Sequence, residues 1–156
     1  ALVKGHPDHY ASRCREEGFL KAMKEAGLDI LDGYVAQGYF DFASGRKAAA
    51  DLLSLPVPPT AIFASNDDMA AAAIYEAHSR KLNVPGDLAV AGFDDTPLSR
   101  QVWPGMTTVR QPIRAMGRQA AEALMDAMTA EGREKLAEQG EMIIDFELQL
   151  RGSTAR

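Results

Sequence analysis

The chain has 156 residues, 46% of them hydrophobic and 25% charged, with a net charge of −5, which suits one compact domain with a sizeable core. Lys and Arg are scattered against an acidic excess, so there is no basic patch to neutralise phosphates, and the chain is not expected to bind DNA by itself. No apolar run approaches the ~20 residues that cross a bilayer, Ala1-Leu2-Val3-Lys4-Gly5 is too short for a signal peptide's apolar region, and a single cysteine, Cys14, excludes an internal disulfide and fits a reducing cytosol.

In chain order, Ala1-Leu2-Val3 reads as the tail of a strand that ends at Gly5, and without an initiator Met it suggests a fragment. Tyr10 to Ala26 carries apolar residues at helical spacing (Cys14, Phe19, Ala22, Met23, Ala26), with Gly27 where a left-handed C-terminal residue is favoured. Ile30 to Val35 gives a weak strand, and Phe42 to Leu53 a second helix before the breaker run Pro56-Val57-Pro58-Pro59. Two short apolar runs follow, Ala61–Ala64 and Leu88–Gly92, each stopping at a polar cluster: Ser65-Asn66-Asp67-Asp68 after the first, Phe93-Asp94-Asp95 after the second. Between them lies the alanine-rich helix Asp67–Arg80, whose leading acids favour the positive end of the helix dipole. This β-α-β order implies parallel strands with a right-handed crossover, and it puts both polar clusters at carboxyl ends, where open α/β sheets bind ligands.

Thr107–Arg110 is β-branched enough for a strand, and Pro112 opens the clearest helical pattern of the chain, an apolar stripe from Ile113 to Met128 that ends near Ala130. Glu131–Gly140 is polar, helical or loop, and Glu141–Arg151 alternates in part and reads as a final strand.

Within the polar clusters, Asn66 can donate and accept at once, as a hydroxyl-rich ligand requires, or it can cap the following helix. Asp94 is suited to accepting two sugar hydroxyl protons. Asp94 and Asp95 could instead hold a divalent cation, but no third carboxylate stands at ligand spacing, so no metal is expected. His6 and His9, in a Pro-containing loop without further ligands, read as solvated, and Cys14 reads as a buried thiol. No nucleophile elbow, dinucleotide fingerprint or phosphate loop occurs, so no cofactor and no catalysis are expected. A small hydrolase or transferase using Asp94 is the enzyme alternative.

On helix Asp67–Arg80, Ala70, Ala73, Ile74 and Ala77 follow the pattern of a sheet-packing face. Ala71, Tyr75 and His78 form a neighbouring stripe, and Tyr suits an interface because it joins apolar area to a polar tip.

Three spaced segments, PTAIFASNDDMA, VPGDLAVAGFDD and WPGMTTVRQP, together resemble the effector-binding domain of bacterial transcriptional regulators of the LacI/GalR family. Arg15 to Phe19 and the closing Leu150-Arg151-Gly152-Ser153 extend the likeness over nearly the whole chain. The resemblance implies the C-terminal lobe of a periplasmic-binding-protein-like type I fold: an α/β, three-layer, open and mostly parallel sheet with helices on both faces. On that basis residues 1–111 are the C-terminal lobe, 112–130 a crossover helix belonging to the N-terminal lobe, and 131–156 the return segment and final strand. The DNA-binding head and most of the N-terminal lobe are absent, and DNA would be reached only through that missing helix-turn-helix.

The resemblance further implies that Arg15, Phe40, Asn66, Asp94 and Gln111 contact a sugar-like effector, with Phe40 stacking on it. Ile113 departs from the aromatic that several relatives place there. A homodimer is implied through Ala71, Tyr75 and His78, with Val102 and Trp103 bordering the patch. The expected function is small-molecule sensing in the cytoplasm for a transcription regulator, with no membrane contact. An extracytoplasmic sugar-binding protein of a transporter is the alternative that shares the fold.

Overall fold

The computed structural model describes residues 1–139 and 142–155. Gly140 and Glu141, which stand at the end of the expected polar segment and the start of the expected last strand, lie outside the described residues. The chain divides into two compact units, Ala1–Val109 with Leu148–Arg156, and Arg110–Glu147.

In the first unit the elements are β1 (Leu2–Lys4), α1 (Tyr10–Glu25), β2 (Val35–Gln37), α2 (Phe42–Leu52), β3 (Ala61–Ala64), α3 (Asp67–Ser79), β4 (Ala89–Phe93), the single turn α4 (Leu98–Gln101) and β5 (Thr107–Arg110, whose last residue opens the second unit). The second unit holds α5 (Ile113–Asp126) and α6 (Ala130–Gln139), and β6 (Glu147–Gln149) returns the chain to the first. Strand order is β2-β1-β3-β4-β5-β6, and the first five strands pair in parallel. The strand expected at Ile30–Val35 falls later, at Val35–Gln37: Leu31 to Gly33 form a turn, with Gly33 at φ +84°, a left-handed value that glycine takes at little cost.

Alternation along β3 and β4 sets the layers. Ile62, Ala64 and Val90 point one way into the core with Met69, Ala70, Ala73, Ile74 and Leu52 from α3 and α2. Phe63 points the other way and stacks on Phe19 of α1, so helices lie on both faces. That second face is thinly covered. Ser12 is the one buried residue of α1, and a mostly apolar cavity of about 510 Å³ runs from Phe19 and Met23 past Phe63 and Ala91 to Pro58. Cys14 is therefore exposed, contrary to the expected buried thiol, because α1 turns Arg15 and Phe19, and not Cys14, toward the sheet.

Helix α3 is buried on two sides, by the sheet and by α2. A Cβ on Gly45 would fall 2.5 Å from Met69 Cα, so only glycine lets α2 lie this close. Ala71 consequently sits in the core at 3% exposure, whereas Tyr75 and His78 remain outside. Ala71 is removed from the candidate interface stripe for this reason. Tyr75 instead meets Phe42 edge-on and Arg46 across its ring face. Arg80 and Arg46 flank the buried Glu76 carboxylate, and their hydrogen bonds hold its pKa below the ordinary 4.5.

The second unit has no buried residue on α5. Ile113, Met116, Leu124, Met125 and Met128 are all exposed along the stripe that the periodicity defines.

Candidate ligand site at the carboxyl ends of the strands

Chain direction reverses between β1, which leads outward to β2, and β3, which leads back to β4 and β5. Such a switch point leaves a crevice at the carboxyl ends of the strands. Gly5, Asn66 and Asp94 follow β1, β3 and β4 there, and Phe40 follows β2.

Arg15 rises into this end from α1. Its Nη1 donates to the carbonyl of Ser65 at 2.7 Å, its guanidinium lies 3.9 Å from the Phe93 ring centroid, and its Nη2 is 3.8 Å from Asp94 Oδ1. Burial lowers its pKa from the ordinary value and Asp94 acts in the opposite sense, so the pair is coupled electrostatically. The Arg15 side chain is 16% exposed and that of Asp94 is 33% exposed, so the carboxylate keeps the more open position.

Asn66 fulfils the capping alternative: Oδ1 accepts from Met69 N at 3.0 Å. Its Nδ2 also donates to the Phe40 carbonyl at 2.9 Å. That bond fixes an unusual residue, since Phe40 has φ +66°, a left-handed value costing a non-glycine residue on the order of 1–2 kcal/mol. Its ring lies over Gly5, where a Cβ would run into Cζ and Cε1 of Phe40, and it stacks against His9. Gly5→Ala is expected to cost about 1–3 kcal/mol by overpacking and to cost far less in a Phe40→Ala background. Urea unfolding of the four proteins measures this coupling.

Asp94 and Asp95 also have positive φ, +113° and +50°, and they diverge. Asp95 turns inward, its side chain 1% exposed, and pairs with Arg151 and with Arg100. The turn is anchored by Asp67, which is fully buried and accepts from Thr96 N at 2.6 Å, Thr96 Oγ1 at 3.0 Å and Thr108 Oγ1 at 2.6 Å. Sequence reasoning placed Asp67 in the first turn of the helix but had no means of finding its partners, 29 and 41 residues away. Gly5, Phe93 and Arg151 were missed in the same way. The proximity of Phe93 to Asp94 and the position of Gly5 after a strand were the only signals.

Gln111 lies in the second unit, between β5 and α5, where its carbonyl accepts from Ile113 N. Val102 is half-buried against the core, and Trp103 is 83% exposed. The rings of His6 and His9 lie tilted against one another, with centroids 4.9 Å apart. No group of three metal-ligating side chains occurs among the described residues. Chemically, the Arg15–Asp94 pair offers a donor and an acceptor side by side, with aromatic rings near the guanidinium. No described helix is long and apolar enough to cross a membrane.

Residues 1–154 match the family model described as the periplasmic binding protein-like domain. The chain is 39% identical over 140 residues to the HTH-type transcriptional repressor CytR of Escherichia coli (strain K12), covering 90% of this chain and 40% of the repressor. A regulatory protein of the LacI family from Chloroflexus aggregans superposes with a TM-score of 0.87 at 35% identity, covering 99% of this chain and 54% of that one. The transcriptional regulator CelR in complex with cellobiose superposes at 0.85 with 30% identity, covering 98% and 46%. The chain thus spans about 40% of the length of the curated relatives it matches. With strand order, helix placement and sequence in agreement, the chain belongs to the periplasmic binding protein-like domain family, in the form that regulators of the LacI/GalR family use.

Proposed function

We propose that residues 1–111 form the C-terminal lobe of a two-lobed effector-binding domain in a cytoplasmic transcription regulator, and that the domain senses a sugar or related polyhydroxylated small molecule without catalysis. The observation that carries this reading is the Arg15–Asp94 pair at the switch point, beside Phe93 and Phe40. A sugar hydroxyl donates to Asp94 and accepts from Arg15, while the C–H face of the ring rests on an aromatic. Asn66 takes part through its second amide hydrogen and by holding Phe40. Cellobiose in the CelR complex is a ligand of this chemical class.

The apolar stripe of α5 (within residues 112–130) belongs against an N-terminal lobe, residues 131–156 return from it, and DNA is bound by a separate helix-turn-helix head. Effector then acts by favouring one of two lobe arrangements, which needs only a difference in affinity between them. Tyr75 and His78, bordered by Val102 and Trp103, form the homodimer contact.

In the full-length regulator, Asp94→Ala is expected to cost about 1.5–3 kcal/mol of effector affinity, the range for a hydrogen bond to a charged group. Calorimetry against a panel of D-ribose, D-galactose, cytidine and cellobiose identifies the effector and measures the loss. An unchanged dissociation constant removes Asp94 from the site, and a panel that is turned over rather than bound removes the sensing role.

A further inference from the structure

The charges around the switch point are matched one against another. Arg15 stands 3.8 Å from Asp94, and Lys4, at the end of β1, stands 3.3 Å from Glu16. Asp95 is held by Arg100 and Arg151, and His6 faces Asp8 at 3.8 Å. Asp67 adds a buried carboxyl bonded to an amide and two hydroxyls, with no cation among those partners. The two helix N-termini that follow β2 and β3 would ordinarily attract an anion. Here the first is capped by the Asp41 carboxylate, which accepts from Ser44 N, and the second by Asn66, with Asp67 and Asp68 in its first turn.

Arg15 is also committed in its geometry. Nη1 donates to the Ser65 carbonyl, one face of the guanidinium covers Phe93, and the Nη2 edge faces Asp94. A group on that edge meets a donor and a carboxylate together. A hydroxyl satisfies both, because it accepts from one and donates to the other. A carboxylate or phosphate offers acceptors only and lies beside a like charge.

Building on the effector-sensing reading above, we propose that this lobe selects an uncharged polyhydroxylated effector and rejects the same compound bearing a carboxylate or a phosphate, with Asp94 as the residue that excludes the anion by occupying Arg15. Asp94 therefore acts as a specificity determinant as well as a ligand contact, and the two roles separate experimentally. Removing its charge while keeping its size weakens the neutral ligand but leaves Arg15 as an uncompensated cation.

Inorganic phosphate serves as the probe, because it needs no knowledge of the natural effector. In the full-length regulator, thermal unfolding is followed with phosphate against chloride at matched ionic strength, for the parent, Asp94→Asn and Asp94→Asn/Arg15→Gln. The parent is expected to be unmoved, Asp94→Asn to gain stability with phosphate, and the double variant to lose that gain. If Asp94→Asn does not fold, Asp94→Ser takes its place. Phosphate stabilisation of the parent that Arg15→Gln abolishes would overturn the proposal, and so would a charge-free variant that ignores phosphate.

Matched sugars complete the test: D-ribose against D-ribose 5-phosphate, and D-galactose against D-galacturonate. The neutral member is expected to bind at least about tenfold more tightly in the parent, and Asp94→Asn to narrow or reverse the ratio. Tighter binding of the anionic member defeats this inference while leaving the effector reading intact. Catalytic turnover of a bound sugar would defeat that reading instead, whatever the outcome with phosphate.

Discussion

Ala71→Arg is expected to abolish stable folding rather than to yield a well-folded monomer. Ala71 is 3% exposed in the layer where α3 is covered by both the sheet and α2. An arginine there has to bury a cation among Met69, Ile74 and Leu52 or force the helices apart, and either outcome belongs to the class of substitution costing more than about 4 kcal/mol. Total stability of a domain is only about 5–15 kcal/mol, so urea titration should show a large loss of midpoint or no folded baseline. The matched control is Tyr75→Arg, 49% exposed on the same helix, which gives up the ring's contacts with Phe42 and Arg46 and should cost only about 1–2 kcal/mol, leaving the fold intact. Light scattering of the Tyr75 variant then reports on the dimer contact without the confounding loss of fold. A dimer of unaltered mass would exclude Tyr75 from that contact.

Asp67→Ala is expected to be the second most damaging change, and its effect should reach the site. The substitution strips acceptors from Thr96 N, Thr96 Oγ1 and Thr108 Oγ1 at once, where Asp67 and Thr108 are fully buried and Thr96 is half-buried. Each buried donor left without a partner costs about 1–3 kcal/mol, so a total near 3–5 kcal/mol is expected. The Asp94-Asp95 turn, which has two left-handed residues in succession and is anchored through Thr96, should loosen with it. Hydrogen exchange at the amides of residues 94 to 96 would reveal the loosening directly. Asp67→Asn keeps an acceptor for one of the two threonines and should fall between the parent and Asp67→Ala. Unaltered exchange in Asp67→Ala would mean that the contacts of Asp95 with Arg151, Arg100 and Ser99 suffice to hold the turn.

Much of the architecture was legible in the sequence because it depends on local physics. Helix α2 starts at Phe42 as expected and α3 at Asp67, since Asp41 and Asn66 cap them and the breakers Pro58 and Pro59 stand between. Helix α1 ends beside Gly27, whose φ of +66° is the left-handed value that glycine after a helix suggests. Strand β5 occupies Thr107–Arg110 because β-branched residues stand between a turn and Pro112. The two polar clusters fall at carboxyl ends because parallel pairing with right-handed crossovers leaves them no other place.

Tertiary structure decided what no periodicity encodes, namely which neighbours each side chain meets. Ala71 looked like one more residue on an outer stripe, and α2 buries it because Gly45 allows the two helices to touch. Cys14 had the apolar character of a core residue, and the orientation of α1 leaves it in solvent. Asn66 offered two readings of equal local merit, and the arrival of Phe40 from 26 residues away shows its amide capping a helix and fixing a strained aromatic together. Asp94 and Asp95 are adjacent and chemically identical in sequence, yet one faces Arg15 and the other Arg151. The sequence by itself determined the order of the main strands and helices, though not the single turn α4 or the helical state of α6, and the end of the sheet where the site lies, since capping, turn chemistry and hydrophobic period act within a few residues. The pairing of charges that sets the character of the site joins residues up to 79 positions apart, as Arg15 and Asp94 are, and only closure of the sheet brings them together.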